Sequence, residues 1–133
     1  MDPRAVYFSE IITLLAVVLY YFVMGARVGM LRARHGVKAP ATTGHPAFER
    51  AYRIHCNTGE QLIAFFPVLW LATLLFRGPY WLPALFGTIF LVGRVLYMQL
   101  YTTDPAKRTP GAFVTMAGIL GLIVLTIIGL AQA

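Results

Sequence analysis

Arg50, Arg53, Asn57 and Glu60 stand three, four and three residues apart. At about 3.6 residues per helical turn, that spacing lines them up as one stripe on a helix. Further along, Arg94, Tyr97 and Tyr101 are three and four apart and share a face in the same way. Guanidinium groups, a carboxylate, an amide and phenols form a chemically mixed set. Arginine grips carboxylates in a bidentate fashion and a glutamate holds an ammonium, so the set suits a zwitterionic ligand with more than one carboxylate. Arg108 adds a second kind of chemistry. It precedes Thr109-Pro110, which read as the N-cap and first residue of a helix. A cation beside a helix N-terminus is unfavourable for the helix alone. The placement makes sense with a bound anion, and because helix N-termini and cations both depress thiol pKa values, a thiolate is the natural guest. A plainer reading competes with each of these: a Glu60–Arg94 pair that only holds helices together, tyrosines that anchor an interface, and Arg108 as an ordinary loop cation.

The elements that must position these groups are set by composition. Of 133 residues, 59% are hydrophobic and 12% charged; soluble domains carry about 25% charged residues. Lipid is therefore the solvent for most of the chain. A bilayer core needs about 20 mostly apolar helical residues. Four segments qualify, 5–26, 54–76, 78–103 and 109–133, holding in turn only Glu10, only Glu60, only Arg94 and no charge. The alternation of barrel strands is missing, which leaves helices, expected at about 5–31, 47–76, 79–102 and 109–131. The expected fold class is all-α: an integral membrane four-helix bundle forming one domain over 1–133. No cleavable signal peptide is evident. Cys56, the single cysteine, excludes an internal disulfide and reads as a small buried hydrophobe. His35, His45 and His55 are ten apart and lack metal-ligand spacing, so no metal is expected.

The net charge of +6 belongs to loops rather than to nucleic-acid binding. Arg27, Arg32, Arg34, Lys38, Arg50, Arg53, Arg94, Lys107 and Arg108 fall on one side of the four spans, and only Arg4 and Arg77 on the other. The positive-inside rule then puts both termini away from the cytoplasm, in a multi-pass protein of a bacterial inner membrane or endoplasmic reticulum. The short Arg77-Gly78-Pro79 turn makes the second and third helices an antiparallel hairpin. Glu60 lies sixteen residues before Phe76 and Arg94 sixteen after Gly78, so both stand roughly 24 Å from the turn at ~1.5 Å per residue. The two stripes are level at the cytoplasmic end. Gly59 within the second helix, and Gly118, Gly121 and Gly129 in the fourth, read as sites of close helix approach.

The run Phe48-Glu49-Arg50-Ala51-Tyr52-Arg53-Ile54-His55-Cys56-Asn57-Thr58-Gly59-Glu60 resembles the signature of the membrane-associated proteins in eicosanoid and glutathione metabolism. Pro40-Ala41-Thr42-Thr43-Gly44 is similar to that family's first loop. Gly93-Arg94-Val95-Leu96-Tyr97, with Tyr101, Pro105, Lys107-Arg108 and Gly111, looks most like its microsomal glutathione S-transferases of the third type. The resemblance covers nearly the full length. It implies a homotrimer of four-helix protomers with glutathione, as co-substrate, bound between subunits. It also implies glutathione transferase or glutathione-dependent peroxidase activity on lipophilic substrates; a non-catalytic lipid- or glutathione-binding protein is the alternative. By position, Arg53, Asn57, Glu60, Arg94, Tyr97 and Tyr101 would bind glutathione, together with Arg32 and His55, and Arg108 would stabilise the thiolate. Gln61 and Ile63 depart from the family pattern, which has an aromatic and a proline there; the departure bears on the lipophilic groove more than on glutathione.

Overall fold

The computed structural model describes residues 3–132, with side chains described for 7–132. Four helices, α1 (Pro3–Arg34), α2 (Pro46–Leu75), α3 (Leu82–Thr103) and α4 (Thr109–Ala131), are joined by two loops and a 3-10 turn, Pro105–Arg108. All four are long and apolar enough to cross a bilayer, so the chain is a multi-pass integral membrane protein. Large apolar side chains face outwards along every helix; Ile63 is 77% exposed and Phe22 70%. Water would not tolerate that surface, whereas lipid does.

Why the helices stop where they do is local chemistry. α1 continues past 31 to Arg34 because Gly36, at φ +65°, closes it. Val37 N–H reaches the Arg32 carbonyl at 3.0 Å and Gly36 N–H the Ala33 carbonyl at 3.3 Å, the paired bonds of a Schellman ending. Val37 then joins a small apolar cluster with Val28, Phe48 and Ala51, which fixes the loop to α2. α2 opens on His45, whose Nδ1 accepts from the Ala47 N–H at 3.2 Å, with Pro46 in the first turn, where a missing N–H costs nothing.

His35 and His45, at the two ends of this loop, stack with ring centroids 3.5 Å apart. Desolvation lowers the His35 pKa below the ordinary histidine value, and the nearby His45 and Arg34 lower it further. A base with a lowered folded-state pKa binds its proton less readily when folded. The contribution of the stack is therefore present above about pH 6.5 and lost as pH falls through the folded value beneath it. Hydrogen exchange of the 36–44 amides should speed up on acidification across that window, and His35→Gln should flatten the response. An exchange rate with no pH dependence beyond the intrinsic one contradicts the stack's role.

Packing inside the bundle has two parts. Phe65 of α2 stacks on Phe90 of α3 at 4.0 Å between centroids and sets the α2–α3 register, with Val17, Leu62, Leu69, Leu122 and Leu125 around them. α3 and α4 come closer still, backbone against backbone. A methyl added at Gly118 would stand 2.6 Å from Phe90 N and 2.8 Å from the Phe86 carbonyl oxygen, and one at Gly93 or Gly111 would overlap the main chain of Thr115 or Tyr97. Without a hydrophobic drive between helices in lipid, such contact supplies much of the association. Gly118→Val should cost about 1–3 kcal/mol and lower the thermal midpoint measured in detergent. An unshifted midpoint would show that the seam yields freely.

Candidate functional site

At the end of the bundle that carries the α1–α2 loop, polar groups gather on α2, α3 and the start of α4. Thr58 is fully buried; its hydroxyl donates to the Ile54 carbonyl at 2.8 Å and accepts from an Arg94 Nη2 at 3.0 Å. The same guanidinium donates to Asn57 Oδ1 at 3.0 Å, and it lies 4.3 Å above the Tyr97 ring. Arg94 is only 2% exposed, yet its Nε has no partner. Burying a guanidinium demands that its donors be met, so this open N–H is the one buried donor of the group left without a partner. From α1, the Tyr20 hydroxyl donates to the Arg94 backbone carbonyl at 3.0 Å and pins that turn of α3.

Glu60 does not pair with Arg94. Its contact is with Asn57 Nδ2, at a long 3.5 Å, and it is otherwise exposed. The reason is helical phase. Two residues are about 200° apart, so an α2 that buries Thr58 against α3 must turn Glu60 outwards. Depth matching alone could not show this. A Glu60–Arg94 pair is therefore not what holds α2 to α3.

Tyr97 is buried and stacks on half-buried Tyr101 at 5.5 Å between centroids. Arg94, Arg108 and Arg53 all lie within electrostatic reach of the Tyr97 phenol. Arg53 and Arg108 are exposed. Arg53, Asn57, Glu60, Arg94, Tyr97, Tyr101 and Arg108 thus form one neighbourhood. Arg50, which shares the sequence stripe, has another task. Its guanidinium donates to the Thr102 and Thr103 carbonyls at 2.9 and 3.3 Å and caps the negative end of α3.

α4 begins at Thr109 as its residues suggest, with Arg108 rather than Thr109 in the N-cap position. The 3-10 turn before it is capped by Asp104, whose Oδ1 accepts from Ala106 N–H at 3.0 Å, with Pro105 behind it, and runs straight into α4. Pro110 is tolerated because the first turn of α4 follows that tighter turn. Arg108 stands at the junction, in N-cap position for α4 and without a side-chain cap bond. Its side chain is exposed.

Arg32 and His55 are placed elsewhere. Arg32 donates to the Ala41 carbonyl at 2.8 Å and lies over the Phe48 ring at 4.6 Å, bracing the loop. His55 stacks on Tyr21 of α1 at 4.3 Å, against Gly25, with Nδ1 buried and unpartnered. Within one protomer neither joins the Arg94 group. Thr58 and Tyr20 do join it and are not evident from the stripes. The available signal was that small hydroxyl residues in apolar helices mark helix contacts. Gly59 is explained by the approach of Tyr21, whose hydroxyl would lie 3.0 Å from an added methyl. Among the described residues no cluster of ligating side chains suits a metal ion. The neighbourhood offers three guanidiniums and two phenols, groups that pair with carboxylates or a thiolate, and one carboxylate, which pairs with an ammonium.

Comparison with known proteins agrees in length and in kind. The chain is 41% identical over 111 residues to an uncharacterized protein of Synechocystis sp., covering 84% of this chain and 79% of that one. It is 33% identical over 119 residues to leukotriene C4 synthase of Bos taurus, covering 90% and 77%. It is 35% identical over 105 residues to microsomal glutathione S-transferase 2 of Homo sapiens, covering 79% and 68%. The model of the MAPEG family matches residues 11–128. From Ile11 on α1 to Ile128 on α4, this chain belongs to the MAPEG family.

Proposed function

We propose that the protein is a membrane-bound glutathione transferase that joins the peptide's sulfur to lipophilic electrophiles. One observation carries the reading: a buried arginine, held by Asn57 and Thr58 above Tyr97, keeps an unmet N–H beside two exposed arginines. Arg53, Arg94, Tyr97 and Tyr101 would take the two carboxylates of glutathione, and Asn57 and Glu60 its polar backbone and ammonium. Arg108 would hold the thiol as thiolate. The sulfur lone pair then attacks an electrophilic carbon dissolved in the bilayer, forming a C–S bond while a leaving group or an opened ring takes the electrons. The gain lies in thiol activation and in holding a polar nucleophile beside a lipid-borne partner.

The placement of Arg32 and His55 supports a shared site. They face away from the Arg94 group in their own protomer, so in a homotrimer Arg32 and His55 of the partner subunit would complete the peptide site across the interface. The cluster of basic residues at the same end supports a cytoplasmic site, with both termini on the opposite side.

Glutathione added to the detergent-solubilised protein should raise its thermal midpoint with concentration, the added folding stability reaching about 2.7 kcal/mol at 100 times Kd. A chlorodinitrobenzene-type acceptor should be conjugated under the same conditions. Stabilisation without conjugation would refute the enzyme and leave a binding protein; no stabilisation would refute both.

A further inference from the structure

We propose that Tyr20 of α1 is a positioning residue for the peptide site, acting through the main chain of Arg94. The proposal deepens the glutathione reading and rests on it. Tyr20 is half-buried, and its hydroxyl donates to the Arg94 carbonyl oxygen at 3.0 Å. Inside a helix that carbonyl already accepts the N–H four residues on, so the phenol takes its second lone pair. The ladder of α3 would be complete without this bond. What the bond fixes is the turn from Arg94 to Tyr97, which carries two of the side chains assigned to the peptide.

The Arg94 side chain is held at its two ends by different elements. Nη2 is tied to α2, donating to Asn57 Oδ1 and Thr58 Oγ1 at 3.0 Å each. The stem rises from α3. Nε lies between them, buried and without a partner. The direction of its N–H therefore follows from how the α3 main chain stands against the two α2 acceptors, and a donor on the Arg94 carbonyl acts on that relation directly. The hydroxyl is engaged by the main chain, so its influence on a ligand passes through the arginine.

α1 meets α3 at a second point that does not touch the site. The Thr13 methyl packs on Gly87, where an added methyl would stand 2.7 Å from Thr13 Cγ2. Thr13 to Tyr20 and Gly87 to Arg94 are both steps of seven residues, so the two helices run in step and the contacts lie on one face of each, roughly 10 Å apart. Thr13 docks α1 on the bundle; Tyr20 docks it on the arginine. Arg32 lies twelve residues beyond Tyr20, about 120° around α1. The Tyr20 contact is thus internal to the protomer and does not depend on a trimer.

Tyr20→Phe keeps the ring and leaves the Arg94 carbonyl its helical bond, so the variant folds. Its KM for glutathione should rise about fivefold, as for one lost hydrogen bond, with kcat and the pH profile unmoved. Thr13→Ser, which removes the methyl on Gly87, should lower the thermal midpoint and leave KM at the parent value. In an Arg94→Lys background Tyr20→Phe should raise KM no further, the non-additivity of residues that act as one unit. The Arg94 Nε–H resonance of the ligand-free protein in nanodiscs, identified by its loss in Arg94→Lys, should shift in Tyr20→Phe and hold its position in Thr13→Ser. That resonance judges Tyr20 by itself; glutathione failing to stabilise the parent protein would sink the peptide reading alone. An unmoved resonance overturns the assignment. So does an equal rise in KM in the Arg94→Lys background, which would put the phenol on the peptide itself, or a changed pH profile, which would make it a proton carrier.

Discussion

Replacing Arg108 by alanine should remove the ultraviolet thiolate absorbance of bound glutathione and lower kcat by about 10²–10³, the loss typical of one electrostatic stabiliser at a reacting anion. Peptide binding should largely survive, because Arg108 is one of three guanidiniums around Tyr97 and the others remain. The pH profile separates this role from a structural one. With the cation gone, the bound thiol returns towards an ordinary value of about 8.5, so the variant's rate should climb with pH across that range while the parent protein's stays flat. Arg108 is exposed and carries no cap bond, so the variant folds and the comparison is clean. Absorbance equal to that of the parent protein would take Arg108 out of the chemistry.

Arg94→Ala should be the most damaging single change to the fold at this end of the bundle. It empties a space that is only 2% exposed and strands Asn57 Oδ1 and Thr58 Oγ1, each of which accepts from the guanidinium at 3.0 Å. Large-to-small changes in a packed core cost about 2–5 kcal/mol, and unmet buried groups add to that. Glutathione affinity should fall by about ten- to a hundredfold as one charged hydrogen-bonding group is lost. Arg94→Lys tests the geometry. An ammonium is a point charge and cannot donate to both acceptors while lying flat over Tyr97, so it should recover part of the stability and little of the binding. Thr58→Val, which touches only the packing side of the arginine, should lower the thermal midpoint more than the affinity. An Arg94→Ala protein with an unchanged midpoint would contradict the picture of a buried polar lock between α2 and α3.

How far the sequence could be read follows from what lipid does to the signals. Length and apolarity mark the four helices because a bilayer demands both. Arg94, Tyr97 and Tyr101 are visible because an ionisable residue in an apolar run is costly and stands out. Facing is harder. In water, apolar residues point inwards; in lipid, Ile63 is as comfortable outside as Phe65 is inside, so the pattern carries little phase. That is why depth alone sets Glu60 level with Arg94, whereas the partners of Arg94 are Asn57 and Thr58. The buried threonines Thr13, Thr58, Thr115 and Thr126 were the better guide. The start of α4 at Thr109 is legible from Thr109-Pro110; the 3-10 turn that Asp104 caps ahead of it reads in the sequence only as a short loop. Sequence alone ends α1 at about 31, because the stop at Gly36 depends on Val37 finding Phe48 across the loop.

The glycine seam reaches beyond packing. Gly111 lies on the main chain of Tyr97 and Gly93 on that of Thr115, so two backbones, with no flexible side chain between them, set how far the Arg108 junction stands from the phenol. When a thinner or thicker bilayer forces the protein to lean, α3 and α4 lean as a single plank. The spacing between the Arg108 cation and the Tyr97 phenol is thus insulated from changes in the surrounding lipid, and a single methyl in the seam would shift it without altering any polar group.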